Sequence, residues 1–259
     1  MLSYKTCYRE TEGCIKWQGK QVVNNTEFID YLHNSVRARL RDEDLNSIFS
    51  SDLSALVSTD MAVYTLRRLL LEPAQDPKPW EIGEALAECM LEEECGVSWP
   101  WNMERDKRTP KACLPGADLV GFITINQITM LALGEVKTSE DTSAPPSVMD
   151  GRSGMIHQLD KLASNIQVHR CLIKWLHPRC KNTHFWPMYQ EAVKNYLNSG
   201  GKTVMLFGML MRDTTPNNLD LENRGKTLFS CVEVPTSVEL CAWYLPSPIS
   251  RWKSILVGG

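Results

Sequence analysis

The spacing of apolar residues along the chain predicts an alternation of helices and strands. Apolar residues three or four positions apart predict helices, and short unbroken apolar runs predict strands buried on both faces. The predicted helices cover residues 26–41, with Thr26 as the cap, and residues 59–71, 80–95, 154–176 and 186–198. The predicted strands are a pair within 4–23, a short extended piece at 97–101, and runs at 118–125, 128–137, 202–211 and 226–234. Residues 237–245 fit either element.

A proline-rich stretch interrupts this pattern. "EPAQDPKPW" at 72–80 has three prolines in nine residues, which predicts a linker or a sharp elbow. We therefore expect an N-terminal strand-pair and helical region at 1–75 and a second domain at 76–259. From residue 80 the predicted order is helix, short strand, strand, strand, helix, strand. This order indicates an α/β fold with a mixed sheet flanked by helices, to which residues 1–75 form an appendage.

The composition excludes several classes of protein. Hydrophobic residues make up 43% of the 259 residues, enough for a sizeable core. Nine cysteines, an odd number without a CxxC pair, do not form a disulfide framework. No apolar run approaches the roughly 20 residues that span a bilayer, and the N-terminus lacks the features of a signal peptide. We therefore expect a soluble cytoplasmic protein that does not associate with membranes.

Charge is distributed unevenly along the chain. The net charge is −3, which by itself argues against a freestanding nucleic-acid binder. Residues 72–106 hold ten acidic and two basic residues, whereas residues 151–212 hold nine basic and two acidic residues. Two solvated helix faces would explain this asymmetry, and so would an acidic site beside a phosphate-binding surface. Candidate nucleic-acid contacts in the basic part are Arg152, Lys161 and Lys174.

The stretch between these two parts carries the candidate chemistry. In "PGADLVGFITINQITMLALGEVKTSED" at 115–141, Glu135 and Lys137 are two residues apart on a predicted strand, so they share a face. A turn at Asn126–Gln127 makes an antiparallel hairpin that returns this strand end to Asp118. We therefore expect two carboxylates and an ammonium group to converge at one edge of the sheet.

Such a group of side chains suits a hard divalent cation. Asp118, Glu135 and the carbonyl of Val136 offer oxygen ligands for Mg²⁺ or Mn²⁺. A bound cation lowers the pKa of a coordinated water and offsets the charge of a phosphate under attack. Lys137 would orient that water or neutralise phosphoryl oxygens. The pattern is thus consistent with phosphodiester hydrolysis, and the alternative is a same-face ion pair at a strand end.

The motif resembles a known nuclease superfamily. "PGAD", sixteen intervening residues and "EVK" are similar to the signature of the PD-(D/E)xK nucleases, which have the restriction-endonuclease-like fold. Gly116 and Ala117 separate Pro115 from Asp118, where the named motif has adjacent residues. The resemblance implies an acidic residue on the first core helix and a glutamine on the helix after the E-x-K strand. The positions that match are Glu84, with Glu88 as the substitute, and Gln158.

A finer resemblance concerns biological context. "WEIGEALAE", "PGADLVGF" and "GEVKTSED", together with the N-terminal appendage, resemble the HamA family, the nuclease subunits of prokaryotic Hachiman anti-phage defence systems. This resemblance implies a DNA nuclease that acts with a helicase/ATPase partner subunit. Two alternatives remain open, namely a non-catalytic partner-binding or regulatory subunit that keeps the nuclease fold, and a nuclease directed at RNA. A structural zinc at His177, Cys180 and His184 is conceivable, but the usual paired-cysteine spacing is absent, which favours side chains that bind no metal.

Overall fold

A computed structural model describes residues 1–71, 76–106, 116–230 and 232–257 of the chain. Its centre is a mixed six-stranded sheet with the order β1-β2-β6-β5-β4-β3. β2, β6, β5 and β4 are mutually parallel, while β1 and β3 pair antiparallel at the two edges. The strands are β1 (Tyr4–Glu12), β2 (Ile15–Val22), β3 (Leu119–Ile125), β4 (Ile128–Ser139), β5 (Val204–Arg212) and β6 (Ser237–Tyr244).

Helices cover both faces of this sheet. The helices of the N-terminal part are α1 (Asn25–Tyr31), a π-helical segment (Leu32–Val36), α2 (Arg37–Arg41), α3 (Glu43–Ala55) and α4 (Asp60–Leu69). The remaining helices are α5 (Pro79–Cys95), α6 (Met103–Asp106), α7 (Met155–Ser164), α8 (Ile166–Cys180), α9 (Trp186–Asn198), α10 (Glu222–Phe229) and α11 (Ile249–Val257). Short 3₁₀ helices lie at Ser147–Met149 and Asn218–Asp220.

The two faces of the sheet belong to two separate apolar cores. Alternation along β4 points Leu131 and Leu133 into the core formed with α7, α8 and α9. Ala132 and Val136 point the other way, into the core formed with α5. The predicted α/β architecture with a mixed sheet flanked by helices is therefore confirmed. No helix in the described ranges has the length and apolar composition needed to cross a membrane.

Most predicted elements are confirmed, including the first strand pair, the hairpin at 118–137, the strand of 202–211 and the helices at 59–71, 80–95 and 186–198. Residues 237–245 form a strand, and Gly96 ends α5 in the left-handed region at φ 69°. The proposed linker falls partly on residues 72–75, outside the described residues, and the domain boundary stays a prediction. β1 and β2, which precede that boundary, nevertheless extend the same sheet.

Several sequence predictions about helices are wrong. The cap of the first helix is Asn24, whose side chain accepts a hydrogen bond from the Glu27 N–H, and not Thr26. A π-helical segment then interrupts residues 26–41. The predicted helix 154–176 is two helices, because the Asn165 side chain caps a new helix by accepting from the backbone N–H groups of the next turn. Helices α3 and α11 were not predicted.

Two predictions about strands also fail. The described residues of the range 226–234 do not form a strand, because residues up to Phe229 belong to α10, in which Arg224 and Leu228 are buried one turn apart. Because Arg224 occupies a buried position of this helix, the apolar residues alone do not show a helical spacing in the sequence. β3 is buried on both faces over most of its length, as predicted, yet it lies at the edge of the sheet and not in its centre. Ser98 of the preceding segment pairs with Phe122 along part of that edge.

Candidate metal-binding and catalytic site

The β3–β4 hairpin brings its two charged ends together. Asn126 and Gln127 adopt φ values of 49° and 67°, the left-handed pair that makes a tight two-residue hairpin turn. The strands then stay in register to the Leu119–Gly134 pair. The Asp118 N–H donates to the carbonyl oxygen of Gly134 at 3.0 Å, so Asp118 lies beside the residue that follows, Glu135.

Asp118, Glu135 and Lys137 make direct contacts, which confirms the predicted convergence. The Lys137 ammonium forms a close ion pair with Glu135 Oε1 and lies 3.9 Å from Asp118 Oδ2. Asp118 Oδ2 also accepts a hydrogen bond from the Val136 N–H at 3.0 Å. We call these three residues the acidic centre. Their position is fixed by the strand alternation and the hairpin register together.

The Glu135 carboxyl occupies an electrostatically unfavourable position. Its side chain is 7% exposed, compared with 27% for Asp118. Burial, followed by repulsion from Asp118, raises the pKa of Glu135 to about 8, although Lys137 opposes the shift. One ammonium group therefore does not fully balance two carboxylates in this environment. An additional positive charge at the acidic centre would be favourable.

The Val136 carbonyl points to the same edge as Asp118. The N–H and C=O groups of one strand residue point to the same side of the strand, and the Val136 N–H points to Asp118. β3 begins at Leu119, so this carbonyl lies beyond the last paired residue of the hairpin. Strand geometry thus puts this carbonyl oxygen at the same edge as the two carboxylates, and the role of the three groups as metal ligands stays a prediction.

Helix α5 approaches the end of β4 from the opposite face of the sheet. A Cβ on Gly83 would lie 2.0 Å from Thr138 Oγ1, so Gly83 permits this close approach. Thr138 follows Lys137 on β4, so its side chain points to the opposite face of the sheet, away from the acidic centre. Glu84, the next residue of α5, is half-buried there, and its role at the centre stays a prediction.

Glu88, the proposed substitute for Glu84, belongs to a different cluster. It is 3% exposed, and its carboxylate lies 3.8 Å from Arg39 Nε of α2. Burial raises the pKa of Glu88 to about 7, while Arg39 opposes the shift. The ion pair with Arg39 commits this carboxylate to the packing of α5 against α2. Glu88 is therefore a poor candidate for the acidic centre.

Helix α7 lies over the face that carries Glu135. Gly208 of β5 is the register partner of Glu135, and a Cβ there would lie 3.0 Å from Leu159 and 3.2 Å from Met155 of α7. Gln158 precedes Leu159, and its Nε2 donates to the Arg152 carbonyl at 2.9 Å. The structure thus places Gln158 on the helix that covers Glu135. Its contact with substrate or cation stays a prediction.

The candidate nucleic-acid contacts lie on the same side of the sheet as the acidic centre. Arg152 precedes α7, Lys161 belongs to α7, and Lys174 belongs to α8. Arg152 and Lys174 are exposed, whereas Lys161 is half-buried. Within the described ranges none of the three forms an ion pair. Their contact with nucleic acid stays a prediction.

The proposed zinc ligands do not form a metal site. His177 packs edge-on against Trp186 and Tyr189, His184 lies against Phe185, and Cys180 is buried. In the part of the chain that the structure describes, no group of three or more His, Cys, Asp or Glu side chains is arranged to hold a metal ion. The acidic centre accordingly offers two side-chain ligands, not three.

A buried arginine that the sequence reading missed holds the segment after β4. Arg212, 1% exposed at the end of β5, pairs with Asp220 at 2.6 Å and donates to the carbonyl oxygens of Asp141 and Ser143. The Tyr244 hydroxyl donates to the other Asp220 oxygen at 2.8 Å. This network anchors the connection between the Glu135 strand and α7. An arginine directly after the apolar run "TVMLFGMLM" is the signal that could have identified it.

The donor set fits a hard divalent cation better than a soft one. All candidate ligands are oxygen atoms, and burial together with the neighbouring Asp118 disfavours the charged form of Glu135 unless a cation stabilises it. Mg²⁺ usually takes only one or two carboxylates and completes its coordination with water and substrate, so two side-chain ligands suffice. A scan against protein-family models finds no family that matches this chain, and a search of curated proteins finds no match either.

Proposed function

We propose that this protein is a metal-dependent DNA nuclease with a restriction-endonuclease-like core of the PD-(D/E)xK type. The observation that carries this proposal is the meeting of Asp118, Glu135 and Lys137 at the end of one hairpin. An ordinary strand-end ion pair needs one carboxylate, and the second, buried beside the first, raises the free energy of the site. A site for a cation gives a physical reason for keeping both.

The residues of the acidic centre would divide the chemistry among them. Asp118, Glu135 and the Val136 carbonyl would hold Mg²⁺ or Mn²⁺. Glu84, the metal-facing acid that the resemblance implies, would act from α5, outside this set of direct ligands. The bound ion would supply charge stabilisation and an acidified water for phosphodiester hydrolysis. Lys137 would donate a hydrogen bond to the attacking water or to a phosphoryl oxygen. Gln158 would orient these groups from α7.

Substrate would reach the centre along the helices that cover it. Arg152, Lys161 and Lys174 would contact the phosphate backbone and fix the position of the DNA without reading its sequence. The net charge of −3 makes strong unaided binding to DNA unfavourable. We therefore propose a helicase/ATPase partner that delivers the strand, and a role as the effector subunit of a prokaryotic anti-phage defence system of the Hachiman type.

Cleavage of plasmid DNA tests the catalytic assignment. With Mg²⁺ the wild-type protein should nick or degrade plasmid, and EDTA should stop the reaction. Lys137→Ala should lower the rate at least about 100-fold, because it removes a group that transfers or orients a proton. Glu135→Gln should abolish metal-dependent cleavage. Lys202→Ala is the matched control, since Lys202 is an exposed lysine paired with Glu233 elsewhere on the molecule.

If Lys137→Ala and Glu135→Gln both cleave DNA at the wild-type rate, the catalytic assignment is contradicted. The assay should be repeated with a helicase and ATP, since activity only under those conditions indicates a nuclease controlled by its partner. Structured and single-stranded RNA should be run in parallel. Cleavage of RNA alone would move the proposal to the RNA-directed alternative.

One observation favours the non-catalytic alternative. The Lys137 ammonium already contacts both carboxylates, and the described residues supply no third side-chain ligand. A regulatory subunit could keep this ion-paired arrangement without ever binding a cation. Absence of both Mn²⁺ binding and cleavage, with and without the helicase, would favour that alternative.

A further inference from the structure

The segment of residues 43–71, which we call the arm, has an unusual surface. α3 and α4, both of which are described in full, contain no buried residue. Eight of the eighteen exposed large hydrophobic residues in the described part of the chain lie within these 29 residues. They are Leu45, Ile48, Phe49, Leu56, Met61, Tyr64, Leu69 and Leu71, and each is between 36% and 77% exposed.

The arm departs from the body of the protein at a defined point. Asp42 adopts left-handed backbone angles of φ 47° and ψ 49° and separates α2 from α3. A cavity of about 530 Å³ then lies between α3 and α5, with Leu45 and Ile48 on one wall and Cys89 and Glu92 on the other. The apolar side of α3 is therefore not closed by the described residues of the body.

Neither helix is long enough to be stable by itself. α3 has 13 residues and α4 has 10, and isolated helices shorter than about 12 to 15 residues are marginal in water. Leu45, Ile48 and Phe49 keep the three- and four-residue spacing of an amphipathic helix. A helix with this pattern gains its stability by burying its apolar side against another element. Among the described residues, no element buries this side of the arm.

The charges at the ends of the two helices are complementary to each other. α3 begins with Glu43 and Asp44, and α4 ends with Arg67 and Arg68. In an antiparallel pair the start of one helix lies beside the end of the other, so α3 and α4 match in charge as well as in apolar character. Yet no ion pair joins them among the described residues, and Arg68 instead lies over the ring of Tyr64.

We propose that the arm pairs with the arm of a second copy of this chain, α3 of each copy packing antiparallel against α4 of the other. Such an interface is self-complementary, because a two-fold axis makes both contacts at once. Sixteen large apolar side chains, eight from each copy, would be buried. For comparison, a stable interface buries roughly 800 Å² per partner. The proposal does not depend on the nuclease activity.

Sedimentation velocity of the full-length protein over a range of concentrations tests this proposal. The wild-type protein should sediment as a dimer of the 29.4 kDa chain. Ile48→Asp combined with Phe49→Asp should sediment as a monomer, because it removes two apolar side chains from the interface. Its circular dichroism should lose no more than the helical signal of the arm, which would show that the body of the protein stays folded. Leu197→Asp on α9, 68% exposed, is the matched control and should remain dimeric.

Charge reversal tests which helices meet. Arg67→Glu/Arg68→Glu and Glu43→Lys/Asp44→Lys should each weaken self-association at least about 10-fold, since each places like charges in both contacts. A mixture of the two variants should restore a mixed dimer, because both of its contacts again join opposite charges. Three results would each overturn the proposal. The wild-type protein could be monomeric, the Ile48→Asp/Phe49→Asp variant could remain dimeric, or the mixture of the two charge variants could stay monomeric. Binding of a different protein to the arm of a monomer would overturn it as well.

Discussion

At the level of single residues, the buried glutamates Glu88 and Glu135 occupy electrostatically unfavourable positions. Glu135 lies beside Asp118 and Lys137, whereas Glu88 lies beside Arg39 and close to Glu92 and Cys89. In both, burial is the largest cause of a raised pKa. The neighbours differ in exposure. The second acid beside Glu88 is Glu92, which is 53% exposed and shares Arg39 with it, whereas Asp118 beside Glu135 is 27% exposed. Repulsion between two carboxyl groups is therefore less screened by solvent at Glu135, where a further cation would be more favourable.

From the raised pKa of Glu88 we expect the stability of the protein to depend on pH, whether or not a metal is bound. Its pKa is about 7 in the folded protein, above its ordinary value of 4.5, so the folded state binds the proton more tightly. The resulting stabilisation is present below about pH 4.5 and is lost as the pH rises through about 7. Between these values the free energy of unfolding should fall by up to about 1.4 kcal/mol per pH unit.

Urea unfolding in EDTA at several pH values between 5 and 8 measures this slope. Glu88→Gln cannot titrate and should show a flatter dependence than the wild-type protein. Glu191→Gln, at an exposed surface position, serves as the control and should leave the slope unchanged. Equal slopes for wild-type protein and Glu88→Gln would show that Glu88 does not carry the shift.

At the level of elements, the contact between α7 and β5 positions the helix over Glu135. Gly208 leaves no room for a larger residue, because a Cβ would lie 2.6 Å from Leu240 and 3.0 Å from Leu159. Gly208→Ala should therefore push α7 outward and destabilise the protein by about 1 to 3 kcal/mol. Thermal and urea unfolding would measure this change.

A second substitution separates the steric effect from other effects of the new methyl group. Leu159→Ala in the Gly208→Ala background removes one of the clashing side chains. It should cost less there than in the wild-type background, giving a favourable coupling energy in the double-mutant cycle. Additive costs would mean that α7 does not approach Gly208 as closely as described.

The elements that the sequence predicted well are those fixed by local rules. The hairpin followed from the Asn126–Gln127 turn, and the pairing of Glu135 with Lys137 followed from strand alternation. The failures arose where a buried polar residue replaced an expected apolar one, as with Arg224 in α10, which pairs with Asp160. The split at Asn165 required recognition that an asparagine side chain caps a new helix.

At the level of the whole molecule, contacts between residues far apart in sequence determine the features that the sequence could not predict. β2 lies beside β6, more than 200 residues away in sequence, and this pairing joins the N-terminal part to the main sheet. Likewise, alternation placed Glu135 and Lys137 on a common face without showing which helices cover that face. Only the assembled sheet shows that α7 lies over Glu135 while α5 packs on the other side.

Binding of Mn²⁺ to the protein in the absence of nucleic acid tests the central claim most directly. Isothermal titration calorimetry should show binding to the wild-type protein, and Asp118→Asn/Glu135→Gln should bind at least about 100-fold more weakly. Lys137→Met should retain binding, because it removes a competing cation and no ligand. Glu191→Gln/Glu233→Gln removes two exposed acids elsewhere and should bind like the wild-type protein. Unchanged binding by Asp118→Asn/Glu135→Gln, or no binding by the wild-type protein, would contradict a metal site at the acidic centre.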